Sequence, residues 1–223
     1  MSIMKHVLIT GANRGIGLEL ARHYAQAGQQ VIGVCRESSP ELQQVATRVL
    51  AGVDVTSESD VAHLTDSLED LQLDLLINNA GILQNEELGI IDFDSIRWQM
   101  EVNAYAPLRV TQALLPLIAE GGKIANITSR MGSIADNDSG GRYGYRASKA
   151  ALNAFGKSLA IDLRPRGVAV AQIHPGYVKT RMVGFSGMIS PEEAARGIAA
   201  RIAALNLDNS GSFWHSNGEV LPW

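Results

Sequence analysis

The chain has 223 residues, 46% of them hydrophobic and 19% charged, and 19 basic against 23 acidic side chains leave a formal net charge of -4. That length suits one domain over residues 1–223, able to bury about 70% of its unfolded surface. An acidic balance, with a pI near 5.7, offers no basic face to displace counterions from phosphates, so no nucleic-acid partner is expected. The single Cys35 cannot close an internal disulfide, and residues 1–10 hold no apolar run longer than three residues. No apolar stretch approaches the ~20 residues that span a bilayer. A soluble cytoplasmic protein with no membrane partner is the expectation.

Short apolar runs alternate with helical patterns along the chain. The runs are 6–10, 30–34, 49–53, 73–77, 123–128, 168–173 and a weaker 212–214. Their continuous hydrophobicity suits strands covered on both faces, as in a parallel sheet. Helical spacing covers about 15–28, 40–47, 58–71, 94–119, 143–164 and 191–205, with Ser57 and Ser190 as N-caps and Pro191 at the first helical position. The alternation predicts an α/β class: a Rossmann-like, doubly wound, seven-stranded parallel sheet in three α/β/α layers, as a single domain.

The first strand runs into Thr10-Gly11-Ala12-Asn13-Arg14-Gly15-Ile16-Gly17, with a helix starting inside the loop. Glycines there let the backbone approach a pyrophosphate, and the helix start supplies free N–H groups. The spacing is neither Gly-x-Gly-x-x-Gly nor a P-loop. After the second strand come Arg36 and Glu37. Arg36, together with Arg14, would pair with a ribose 2′-phosphate, whereas Glu37 one residue on would bind the 2′-hydroxyl and reverse the preference. Asp54-Val55 follows the third strand and Asn78-Asn79-Ala80-Gly81 the fourth; each also reads as a turn or a lead into a helix.

Tyr145 and Lys149 stand four apart in a helical segment, so an ammonium can sit near a phenol whose free pKa is about 10. Tyr143 has Ala147 at the matching position. The fifth strand closes on Ser129, with Ser133 as the competing hydroxyl further from the strand end. His174-Pro175-Gly176-Tyr177-Val178-Lys179-Thr180 leaves the sixth strand in a rigid turn, and residues 181–190 read as a mobile lid.

Taken together these motifs resemble the classical short-chain dehydrogenase/reductase family over essentially the whole chain, in order and at family intervals. The wording of Gly140 to Arg146 and the ending Gly218 to Trp223 is most similar to a small C-factor-like branch with carbonyl reductases and a signalling protein. The resemblance implies NADP(H) as cofactor and a catalytic set of Asn103, Ser129, Tyr145 and Lys149. Tyr145 would be the general acid/base, Ser129 would hold the substrate oxygen, Lys149 would lower the tyrosine pKa and bind the nicotinamide ribose, and Asn103 would support a water. Cofactor contacts would come from Gly11, Asn13, Arg14, Gly15, Ile16, Gly17, Arg36, Asp54, Val55, Asn79, Ala80, Gly81, Tyr145, Lys149, Pro175, Gly176, Val178 and Thr180. Two departures stand out: fifteen residues separate Ser129 from Tyr145, with 136–141 resembling an insertion, and the stretch after Thr180 is short. A pocket of Ile82, Leu83, Met131, Ile134, Met182, Phe185 and Met188 would take an apolar ketone, aldehyde or quinone, or the matching alcohol. Five scattered histidines predict no metal site. The family also implies a homodimer or homotetramer through the helices bearing Asn103 and Tyr145, and the branch implies a nucleotide-bound signalling protein as the alternative function.

Overall fold

The computed structural model describes residues 5–223, so the first four residues of the expected domain lie outside it. Seven strands, β1 (His6–Thr10), β2 (Gln30–Val34), β3 (Arg48–Leu50), β4 (Leu73–Asn78), β5 (Ile118–Ile127), β6 (Ala169–His174) and β7 (Ser212–His215), form one sheet in the order 3-2-1-4-5-6-7. Every pairing is parallel. Helices α1 (Gly15–Gln26), α2 (Pro40–Val45), α3 (Glu58–Asp66), α4 (Phe93–Met100), α5 (Ala106–Leu114), α6 (Tyr143–Asp162) and α7 (Pro191–Ala204) make the connections.

Strand side chains alternate between two cores, as the period of two demands. Val7, Ile9, Val31 and Ile77 pack with Leu20 of α1, Leu42 of α2 and Ile198 of α7. Leu8, Ile32, Leu76 and Ile124 point the other way, onto Val61 and Leu64 of α3, Val110 and Leu114 of α5 and Ala160 of α6. Two buried faces explain the continuous apolar runs. Strand order reverses at β1, whose neighbours are β2 and β4, and the C-terminal ends of strands at such a reversal open a crevice for ligands. Among the described residues no helix is long and apolar enough to cross a membrane.

Ser57 and Ser190 cap their helices, accepting the N–H of Asp60 and Glu193 at 3.2 Å each. Several expected boundaries change. The helix predicted over 94–119 is three pieces: α4, a π turn over Glu101–Tyr105 and α5. Pro116 has no N–H to continue the helix; a 3-10 turn over Leu115–Leu117 follows, and β5 begins at Ile118 rather than at 123. Its first residue pairs with Leu73 before a register shift, and Gly121 (φ 74) turns the chain there. β3 is shorter and earlier than 49–53, because Gly52 (φ 80) turns away and bonds to the Arg36 carbonyl at 2.9 Å. α3 stops at Asp66, five residues early, in a turn where Ser67 Oγ donates to the Leu64 carbonyl at 2.8 Å. Residues 181–190 fold back on themselves, with Val178 bridging Ile189 and a 3-10 turn over Arg181–Val183.

Candidate active site

A cleft of about 1210 Å³ crosses the C-terminal edge of the sheet, from Arg14, Arg36 and Glu37 at one end to Tyr145, Met182 and Phe185 at the other. Backbone builds the first end. Gly11 (φ 64) and Gly15 (φ 54) hold left-handed conformations, and a Cβ on Gly17 would stand 2.2 Å from the Gly11 carbonyl oxygen. Asn79 ties this loop to β4: its Nδ2 donates to the carbonyls of Thr10 at 3.0 Å and Gly11 at 3.1 Å. In return, Thr10 Oγ1 accepts the N–H groups of Asn79 and Ala80. Asn78 turns inward instead, bonding Thr111 and Asn126. Asn13, Ile16, Asp54, Val55, Ala80 and Gly81 join the lining, with Asp54 held by the Thr56 N–H and hydroxyl.

Side chains build the other end. Tyr145 and Lys149 lie on α6, both buried, with Lys149 Nζ 5.9 Å from the phenol ring centre. Nζ donates to the Ile127 carbonyl at 2.9 Å. Burial raises the Tyr145 phenol above its ordinary value, and a hydrogen bond from Ser129 and the charge of Arg142 pull it back. Burial lowers Lys149 to about 8. Each group is thus pressed toward its neutral form, and the groups that pull the tyrosine down are Ser129 and Arg142 rather than the expected lysine. Ser133 points elsewhere, donating to the Trp223 carbonyl at 3.2 Å.

Asn103 sits in the π turn, fully buried. Its Oδ1 accepts the Ile82 N–H at 2.8 Å, and its Nδ2 donates to the Ile82 carbonyl and to Ser148 Oγ. A Cβ on Gly81 would lie 3.1 Å from Asn103 Oδ1 and 3.6 Å from Lys149 Nζ, so these two groups meet above a residue that must stay small. π turns of this kind recur at functional sites. Pro175 and Thr180 line the cleft, while Gly176 (φ 94) packs on Ile189 and His215, and Val178 is buried behind the wall.

A family model described as short chain dehydrogenase matches residues 5–187. The chain belongs to the short-chain dehydrogenase family. It is 40% identical over 226 residues to the 1-hydroxy-2-glutathionyl-2-methyl-3-butene dehydrogenase of Rhodococcus sp. (strain AD45), covering 99% of this chain and 100% of that protein. It is 42% identical over 154 residues to the C-signal of Myxococcus xanthus, covering 68% of this chain and 93% of that protein. An NADPH-bound carbonyl reductase from chicken fatty liver superposes with a TM-score of 0.90 at 30% identity, covering 99% of each chain.

Within this short-chain dehydrogenase site, the apolar lining is only partly as expected. Ile82, Leu83, Met182 and Phe185 line the cleft, but Met131, Ile134 and Met188 do not, and the last two are 81% and 80% exposed. Trp98, Val102, Lys179 and Arg181 line it without having been singled out. Trp98 and Val102 were findable, since they stand five residues and one residue before Asn103. Arg142, whose charge reaches Tyr145, had no sequence signal beyond its position three residues before the tyrosine.

Proposed function

We propose that the protein is an NADP(H)-dependent oxidoreductase that reduces an apolar ketone, aldehyde or quinone, or oxidises the matching secondary alcohol. The observation that carries this reading is that buried Tyr145 and Lys149, with Ser129 hydrogen-bonded to the phenol, stand at one end of a cleft whose other end is a glycine loop flanked by two arginines. The left-handed Gly11 and Gly15, and the absence of room for a Cβ on Gly17, fit a backbone cradle for a pyrophosphate. Arg14 and Arg36 would pair with the ribose 2′-phosphate, and Thr180 and Pro175 would orient the nicotinamide end. The NADPH-bound carbonyl reductase of similar fold supports this choice. When bound, the cofactor supplies the hydride.

The chain's own residues handle the proton. Ser129 donates to the substrate oxygen and holds it beside the Tyr145 hydroxyl, which gives its proton to that oxygen in reduction and takes it back in oxidation. A phenol raised by burial keeps its proton at neutral pH, which suits a donor. Lys149 stays mostly protonated below about 8, and its charge stabilises the tyrosinate left behind. The Asn103 side chain is fully engaged with Ile82 and Ser148, so its support for a proton-carrying water would come through its main chain. Purified protein should consume NADPH with members of a quinone and aromatic-ketone panel; nucleotide binding with no turnover of any carbonyl would overturn the reading.

A second reading, a nucleotide-bound signalling protein without essential turnover, is favoured by the 42% identity to the C-signal. Full rescue of a deletion phenotype by Tyr145→Phe, with failure of Arg14→Ala, would select it. Association into a dimer or tetramer through the helical segments bearing Asn103 and Tyr145 is part of the proposal. Half-exposed Tyr105 lies tilted against Phe155 there, ring centres 6.3 Å apart, and Ile161 is exposed. Sedimentation as a monomer at micromolar concentration would contradict it.

A further inference from the structure

Among the described residues, only two non-glycine residues hold left-handed backbone: Arg142 (φ 50) and Phe185 (φ 61). Bulky side chains rarely adopt it, and where they do the surroundings over-determine it, commonly at functional sites. Phe185 lines the substrate end of the cleft. Arg142 is the residue before α6, three positions ahead of Tyr145.

Three contacts hold Arg142 in place. Its N–H donates to the Glu86 carbonyl at 3.1 Å, its Nε donates to Asn85 Oδ1 at 3.0 Å, and its Nη1 lies 3.6 Å from Met131 Sδ. Asn85 belongs to the loop after β4, and Met131 follows Ser129 by two residues. The exposed guanidinium therefore ties together two loops beside the cleft, outside the residues that line it, near enough for its charge to act on the Tyr145 phenol.

That charge has no carboxylate. No acid of the described residues lies within ion-pair distance of Arg142, a state it shares with most of the chain's arginines. Glu86 is committed elsewhere: Oε1 accepts from Ser95 and Gln99, and Oε2 caps α6 at the Gly144 N–H, 3.0 Å away. Asp136 is taken by Arg130. The cleft wall from Asn79 onward carries Lys149, Lys179 and Arg181 and no acid, whereas its lining acids, Glu19, Glu37 and Asp54, all sit at the nucleotide end. A wall of one sign concentrates ligands of the other.

We propose that Arg142 is a specificity-determining residue that binds a carboxylate on the substrate, so that the carbonyl compound has an apolar body and an anionic end. With Nε spent on Asn85, a planar guanidinium still has its Nη1–Nη2 end, through the second N–H of Nη1, for a carboxylate. This rests on the oxidoreductase reading above and narrows its substrate.

The test uses ω-oxo carboxylates of graded chain length against their neutral methyl esters, with NADPH. Wild type should favour the acid at one chain length by about tenfold or more in kcat/KM, chiefly through KM. Arg142→Gly suits the left-handed backbone and removes the fork, so the acid-to-ester ratio should collapse toward one; Arg142→Lys, which keeps charge without the fork, should fall between. A ratio of one in wild type, or a ratio untouched by Arg142→Gly while both compounds turn over, would overturn the inference and leave the oxidoreductase reading standing. If no carbonyl turns over, that reading fails by itself. The inference is then decided by titrating a saturated alkanoate into the NADPH-loaded protein, where binding by wild type and loss in Arg142→Gly supports it and absence of binding by wild type overturns it.

Discussion

The two ends of the cleft are made of different material. At the nucleotide end the shape is backbone: Gly11 and Gly15 in left-handed conformation, Gly17 against the Gly11 carbonyl, and Asn79 bracing the loop with two hydrogen bonds. At the substrate end the working groups are side chains on α6 and on loops, and the lining includes the exposed loop residues Met182 and Phe185. Backbone tolerates little change because a methyl group has nowhere to go, whereas exposed loop side chains can be exchanged at small cost. The contrast explains how one sheet edge can hold a constant nucleotide while its other half adapts to a substrate.

Substitutions should separate the two ends. The largest effect on binding is expected for Gly17→Ala, whose Cβ meets main chain at 2.2 Å: NADPH affinity, measured by fluorescence titration, should fall about 100-fold through overpacking, and unaltered binding would break the backbone half of the contrast. A smaller effect comes from His174, half-buried beside His215 and Arg130 and held down to about 3, chiefly by desolvation. The unfolded chain takes up a proton near pH 6.5 that the folded ring refuses, so stability is lost as pH falls below that value. By pH 5 the loss is about 2 kcal/mol, and urea unfolding of His174→Asn should show it removed.

At the substrate end, Lys149 loses its proton as pH rises through about 8. The reduction kcat/KM should therefore drop about tenfold per pH unit above that point, and Lys149→Arg should move the limb upward. Least is expected from Arg36→Ala. The NADPH-over-NADH preference should shrink by about fivefold to tenfold, and Glu37→Gln should widen it. A preference unmoved by Arg36→Ala would remove that arginine from nucleotide recognition.

The same contrast governs what could be read from the amino acids alone. Strands whose residues are buried on both faces show continuous apolar runs, and the glycine loop, the Asn79 brace and the Tyr145–Lys149 spacing are local in sequence, so they were legible. The 94–119 segment was not read correctly, because its helical spacing persists through a π turn and past Pro116, and only pairing with β4 turns Ile118 into strand. Loop side chains were the least legible. Met131, Ile134 and Met188 have the apolarity of pocket residues, yet their direction depends on chain reversals such as the Val178–Ile189 bridge. Arg142 depends on contacts from Asn85 and Met131, 57 and 11 residues away.

The central claim is that Tyr145 passes the proton in a cleft that binds nucleotide independently of it. The most direct measurement is NADPH affinity and single-turnover reduction side by side in Tyr145→Phe, which keeps the ring and removes the hydroxyl. Unchanged affinity with a rate lower by about 10²–10⁴ is the predicted result, and a rate equal to wild type would contradict it.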